Sequence, residues 1–277
     1  MTDDIWRGMT REELDAAYNN TAAVKHSAAT LSDWTRRSAD LRAARPELLN
    51  LSYGPRPRNK LDLFRCGKPN APLFVFIHGG YWQRNSKEIF SCMAEGPLAI
   101  GFDAAVIGYT LAPEVTLTEI VAETHAAIRW LRTEGRQHGV GKAALVVSGW
   151  SAGGHLTAMA MPLAEVDAGM PISGIFDIEP CRLNYLNEKL QLSEQEVETL
   201  SPIRHLPKES KPMTIVFGAS ELPELQRQSR DYAKARGEAG LPTRLLALAT
   251  HDHFSILEEL YKPDGKLTSA LFRLMHT

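Results

Sequence analysis

Ser151 lies in Gly149-Trp150-Ser151-Ala152-Gly153, directly after the apolar run Ala143-Ala144-Leu145-Val146-Val147. A serine at the sharp turn from a buried strand into a helix is placed as a nucleophile, and small flanking residues are needed because that turn is strained and crowded. Composition alone produces a Gly-x-Ser-x-Gly string in roughly one chain in ten of this length, so the flanking sequence must decide. His78-Gly79-Gly80-Tyr81-Trp82 follows a second apolar run, Leu73 to Ile77. If both runs are neighbouring parallel strands, the two motifs face one crevice at the carboxyl edge of the sheet. Acyl transfer builds negative charge on the former carbonyl oxygen, and amides freed by glycines can be aimed at it. The expected donors are the amides of Gly80, Tyr81 and Ala152, with Gly79 as a further candidate; Ala152 has the helix dipole behind it.

A serine hydroxyl is a weak nucleophile at neutral pH. It needs a histidine to take its proton and a carboxylate to fix that histidine's tautomer. In sheets of this kind both partners lie downstream, in the order serine, acid, histidine. The run Met213 to Phe217 leads into Glu221, and the run Arg244 to Leu248 leads into His251-Asp252-His253-Phe254. Glu221 and His253 therefore fill the acid and base slots. His251 competes for the base. Glu224, Asp252 and Asp177 compete for the acid, with Glu224 read as a solvated helix residue and Asp252 as a turn residue. His78 is expected to organise the glycine loop, and His155 to be a structural hydrogen-bonding group. Trp82, Trp150, Phe176 and Tyr185 are candidates for an aromatic substrate pocket. No group of side chains has metal-ligand spacing, and no cofactor motif is present.

The elements that must position these residues follow from periodicity. From residue 72 onward, apolar strands at Leu73 to Ile77, Ala104 to Ile107, Ala144 to Val147, Met213 to Phe217 and Arg244 to Leu248 alternate with helices, and a weaker strand spans Met170 to Ser173. That alternation predicts an α/β fold, a mostly parallel sheet with helices on both faces. Ile120, Thr124, Ala127, Ile128 and Leu131 form one buried helix face. Leu49 to Tyr53 and Leu61 to Arg65 read as an antiparallel edge hairpin. Residues 1–48 read as a helical extension with a Thr10/Glu13 capping box and a second helix from Ser32 to Pro46, packed on the rim of the site or on a partner subunit. Residues 176–210 have weak periodicity and several short helices, which suits a cap insertion.

The 277 residues are 44% hydrophobic with no composition shift, which predicts a single domain over 1–277. Lys plus Arg number 31 against 33 acidic residues, a net charge of −2. Neither nucleic acid nor an anionic membrane is expected as a partner. Without a basic-then-apolar leader or a spanning apolar run, the expected location is the cytoplasm. The expected partner is a small-molecule substrate, with a homodimer as the default assembly. Cys66, Cys92 and Cys181 read as buried structural thiols.

The motifs together resemble the α/β-hydrolase esterases, and more closely the kynurenine formamidase (arylformamidase) branch. The match rests on residues 78–82 and 149–155, then Ile172-Ser173-Gly174-Ile175-Phe176-Asp177-Ile178-Glu179-Pro180, Ser201-Pro202, Pro223-Glu224-Leu225, Gln228-Ser229 and His253-Phe254-Ser255, so it runs from about residue 50 to the end. The resemblance implies an α/β-hydrolase fold, Ser151 as nucleophile, Glu221 as acid and His253 as base. It implies hydrolysis of an aryl formamide or small ester through an acyl-enzyme, without metal. Two positions depart from it: Glu221 stands where the family usually has aspartate, and Trp150 where histidine is frequent. A general short-acyl carboxylesterase is the alternative enzyme. A hydrolase-fold protein that binds its ligand without turnover is the alternative outside catalysis.

Overall fold

A computed structural model describes residues 4–208 and 211–275. The first three residues of the 1–48 extension and the last two of the 176–210 insertion lie outside the described residues. Eight strands form one sheet: β1 (Leu51–Ser52), β2 (Lys60–Phe64), β3 (Leu73–Ile77), β4 (Asp103–Ile107), β5 (Leu145–Trp150), β6 (Ala168–Ile172), β7 (Met213–Gly218) and β8 (Thr243–Leu248). Their spatial order is β1-β2-β4-β3-β5-β6-β7-β8. The pairs β1–β2 and β2–β4 are antiparallel and every other pair is parallel. The expected hairpin forms, with β1 at the edge and β2 paired inward on β4.

The chain runs outward from β3 to β4, then crosses back to β5 on the other side of β3. That reversal opens a crevice beyond the carboxyl ends of β3 and β5, the usual ligand position in such sheets. The register pairs Ile77 with Gly149, which sets the His78–Trp82 loop directly beside Ser151.

Side chains alternate between the two faces of each strand. Leu73, Val75 and Ile77 join one core with the helix Leu117–Arg132, whose expected face from Ile120 to Leu131 is buried. Phe74 and Phe76 join the opposite core with Trp34, Trp150, Phe254 and the helix Lys266–Leu274. Each such buried aromatic or branched side chain contributes about 1.5–3 kcal/mol, so the strands are anchored from both sides. Among the described residues, no helix is long and apolar enough to cross a membrane.

The N-terminal segment folds as helices Arg11–Ala17, Asn20–Ala23 and Ser27–Ala44, with the Thr10/Glu13 capping box formed. The third helix starts at Ser27 rather than Ser32. Its first turn, Ser27-Ala28-Ala29-Thr30, carries no large apolar side chain, so apolar spacing gave no signal there; tertiary contacts further along hold the helix. Trp34 is fully buried and donates from Nε1 to Glu258 Oε1 at 2.6 Å, and Arg37 pairs with the same carboxylate. Residues 179–200 form three short helices, Glu179–Leu183, Asn187–Leu190 and Glu194–Leu200. Cys92 and Cys181 are buried, but Cys66 is only half-buried because it follows the end of β2.

Asp62 on β2 is fully buried and accepts from Lys87 Nζ (2.8 Å), the Asn50 amide (2.8 Å) and the Arg42 guanidinium. Lys87 is itself 3% exposed, and burial pulls its ammonium down to about 8. Removing one member of a buried ion group strands the others. Asp62→Ala should therefore lower unfolding stability by about 3 kcal/mol, measured by urea denaturation; a loss below about 1 kcal/mol would contradict this view of the network.

Candidate active site

Ser151 closes β5 with φ 58° and ψ −117°, backbone angles that cost a non-glycine residue on the order of 1–3 kcal/mol. Neighbouring contacts hold it there. The Ser151 amide donates to Ile172 O at 2.8 Å, and the helix Ala152–Ala160 begins immediately after. A Cβ on Gly153 would sit 2.0 Å from Ile77 O. Only glycine lets that helix abut the end of β3, so the sequence around the serine is dictated by close backbone approach.

The loop after β3 is strained as well: Gly80, Tyr81 and Trp82 have φ of 120°, 51° and 58°. Side chains brace it. His78 Nδ1 lies 2.9 Å from Gly79 O, Asn85 Nδ2 donates to the same carbonyl at 3.1 Å, and Tyr109 Oη donates to His78 O at 3.0 Å. The His78 ring stacks on Tyr109 at 4.3 Å, so it organises the loop as expected. Tyr81 Oη donates to Tyr18 O at 2.6 Å and accepts from Asn20 Nδ2 at 2.7 Å. The amides of Gly80, Tyr81 and Ala152 donate to no acceptor among the described residues. In a buried turn such orphan donors are rare; Gly80 and Tyr81 line the same cavity as Ser151, and Ala152 follows it directly.

Glu221 follows β7. Its Oε2 lies 3.0 Å from His253 Nδ1, while Oε1 accepts from Ser173 Oγ at 2.5 Å and from the Gly218 amide at 2.6 Å. The carboxylate is thus held by three partners. With Nδ1 engaged, Nε2 is the nitrogen left to accept a proton. Trp150 Nε1 donates to His253 O at 2.7 Å, and the indole packs 4.8 Å from the imidazole. The residue before the serine therefore clamps the histidine loop. Ser151 and His253 line the same cavity, without a closed hydrogen bond between them among the described residues; such contacts commonly tighten only around substrate.

The competing groups are committed elsewhere. His251 Nδ1 lies 3.2 Å from Ser255 O and its Nε2 faces Glu259. Asp252 caps the turn by accepting from the Phe254 and Ser255 amides. Asp177 pairs with Arg204 and accepts from the Glu179 amide. Glu224 is not a solvated residue: it is 7% exposed, forks onto Arg227 and accepts from Tyr18 Oη. Helical spacing alone could not reveal that the N-terminal segment covers it.

The cavity at Ser151 is about 150 Å³, lined by Asn20, Leu31, Gly80, Tyr81, Trp150 and His253 among others. Of the four expected pocket aromatics, only Trp150 lines it. Trp82 is fully buried, edge-on to His155 at 5.0 Å, because the positive φ values turn its side chain into the core. Phe176 is fully buried and stacks on Tyr232 at 4.3 Å. Tyr185 lines a neighbouring cavity with Arg84, tied to the Asp15 carboxylate through its amide. The wall over Ser151 comes instead from residues 20–31 of the extension. Asn20, Ser173 and Asn85 are site residues that sequence reasoning missed, since only tertiary contacts bring them there; for Ser173 the signal was its place in the motif after β6. His155 Nε2 lies 2.7 Å from Leu200 O, joining the elbow helix to the insertion. Among the described residues, no group of three or more His, Cys, Asp or Glu side chains could hold a metal ion.

Comparison with known proteins agrees with this architecture. The BD-FAE family model matches residues 61–170. A kynurenine formamidase from Danio rerio is 27% identical over 98% of both chains. The kynurenine formamidase from Drosophila melanogaster is 30% identical over 80% of this chain and 79% of its own. A solved Silicibacter sp. tm1040 protein, provisionally described as a thioesterase, superposes with a TM-score of 0.85 at 30% identity, covering 94% of this chain and 99% of that one.

Burial holds both His78 and His155 down from 6.5 to about 4. In the unfolded chain they protonate near their ordinary value. As pH falls through 6.5 toward 4 the unfolded state takes up more protons than the folded one, so stability is lost across that window, by roughly 3 kcal/mol per imidazole. Urea denaturation between pH 7 and pH 4 should show this loss, and His155→Gln should reduce its slope. An unchanged slope in the variant would contradict a neutral, buried His155.

Proposed function

Since the chain belongs to the kynurenine formamidase family of α/β-hydrolase-fold enzymes, we propose that it hydrolyses a small acyl group from an aryl formamide or short ester through an acyl-enzyme on Ser151. The observation that carries this reading is the Glu221–His253 hydrogen bond, with His253 lining one cavity together with the strand-end Ser151 and the Gly80–Tyr81 loop. Ser151 Oγ attacks the acyl carbon and its proton passes to His253 Nε2. Glu221 holds the opposite nitrogen and stabilises the imidazolium. The carbonyl oxygen, now negative, rests on the Gly80, Tyr81 and Ala152 amides. Each such donor is worth about 10²–10³-fold in rate. His253 then gives its proton to the leaving amine or alcohol, and water repeats the cycle to release the acid.

The substrate reading draws on the formamidase relatives and on size. The cavity at Ser151, about 150 Å³, is of the volume that admits one benzene ring, which suits a single aromatic leaving group. A short-acyl ester or thioester hydrolase is the second reading, favoured by the Silicibacter protein's description. The alternative of binding without turnover gives way, because the relatives are hydrolases and the chain is an enzyme of their type.

A panel of N-formylkynurenine, formanilide, p-nitrophenyl acetate and a short acyl thioester tests this, with wild type and Ser151→Ala. The aryl formamides should give the highest kcat/KM, and Ser151→Ala should lower every rate by at least about 10³-fold with the fold retained by circular dichroism. A clear preference for the simple ester or thioester would move the assignment to the second reading. Activity that survives in Ser151→Ala would overturn the serine mechanism.

A further inference from the structure

We propose that Arg84 is a specificity-determining residue: its guanidinium binds a carboxylate carried by the leaving group, so that the site selects aryl formamides with an acidic substituent over neutral ones. This rests on the formamidase reading and deepens it.

Arg84 stands one turn past the glycine loop, where the amides of Gln83 and Arg84 both donate to Gly80 O at 3.0 Å. A Cβ on Gly80 would come within 2.5 Å of Arg84 O, so the arginine's backbone is fixed tightly against the loop beside Ser151. Its side chain is exposed and makes no hydrogen bond or ion pair among the described residues. Arginines on the flanking segments are engaged: Arg58 donates to the Tyr109 and Asn85 carbonyls, and Arg182 pairs with Glu179. Burial raises the hydroxyls of Tyr81 and Tyr185, and the Arg84 charge opposes that rise at both. Tyr81 lines the cavity at Ser151 and Tyr185 lines its neighbour, so the guanidinium lies within electrostatic reach of both spaces.

The charge map gives that position a use. Among the described residues, Arg84 is the one permanently charged side chain lining the cavity at Ser151. It also lines the adjoining cavity of about 510 Å³, where the other charged side chains are Lys189 and Glu188; two cations against one carboxylate leave +1. The space on the opposite flank, about 620 Å³, is lined by the carboxylates of Glu221 and Asp252 against the Lys25 ammonium. An anionic substituent is therefore repelled on that flank and drawn toward Arg84. A single excess charge suits a monoanion, and the planar fork of a guanidinium matches a carboxylate. With its ring in the cavity at Ser151, a leaving group passes its substituent by Arg84 into the adjoining space.

The test compares N-formylkynurenine with its α-carboxamide, which keeps the ring, the formyl group and the ammonium and loses only the anion. Both are assayed with wild type, Arg84→Gln and Arg84→Glu, with the fold checked by circular dichroism. Wild type should favour the carboxylate by about tenfold in kcat/KM. Arg84→Gln should bring the ratio close to one, and Arg84→Glu should reverse it, which a merely structural arginine would not do. A wild type that handles both compounds alike overturns the proposal. So does an Arg84→Gln variant that slows both by the same factor, because the arginine then only supports the loop. A wild type inert toward both formamides but active on short esters sinks the formamidase reading itself. In that event 4-acetoxyphenylacetate and 4-acetoxyphenylacetamide put the same question to Arg84, and a ratio that Arg84→Gln leaves unchanged overturns its role.

Discussion

The contact on which the rest depends is the approach of the helix Ala152–Ala160 to the carbonyl of Ile77, which leaves no room for a side chain at Gly153. That approach forces Ser151 into its positive-φ turn, and the turn lifts the hydroxyl out of the sheet while pointing the Ala152 amide at the same space. Because Ile77 is also the last residue before His78-Gly79-Gly80, one close contact brings Ser151 and the glycine loop together. Backbone strain at both motifs is offset by the two cores that grip β3 and β5 from opposite faces.

A second layer of order comes from the chain's first fifty residues, which are part of the site's architecture. Trp34 packs edge-on to Trp150 at 5.8 Å and stacks on Phe254 at 6.2 Å, so the helix Ser27–Ala44 supports the indole that clamps His253. Tyr18 and Asn20 hold the Tyr81 hydroxyl on the other flank. The extension therefore reaches the His253 loop through one aromatic cluster and the glycine loop through one hydrogen-bonded pair. It also supplies part of the cavity wall through Asn20, Thr21 and Leu31, in line with the expected packing of the extension on the rim of the site.

What could be read from the sequence was what local physics encodes. The strand Leu73–Ile77 matches its apolar run residue for residue, and the face from Ile120 to Leu131 is the buried one, because strand and helix periods are imposed by the sheet core. The serine and glycine motifs were legible because strained turns restrict residue type. Glu221 and His253 were legible from their place after late strands, and their 3.0 Å contact agrees with that placement. The rest depended on which distant segments meet. Nothing near Trp82 or Phe176 says that their rings turn inward, nothing near Glu224 says that Tyr18 will cover it, and Asn20 becomes a cavity residue only through a partner 61 positions away.

The central claim is that Ser151, activated by a neighbouring imidazole, is the one nucleophile of this crevice. Treating the folded protein with a fluorophosphonate and mapping the adduct by mass spectrometry tests it most directly. The account expects a single adduct on the peptide carrying Ser151, formed far faster in wild type than in a His253→Ala variant. Stoichiometric labelling of another residue, or full ester turnover by protein that takes up no label, would contradict it.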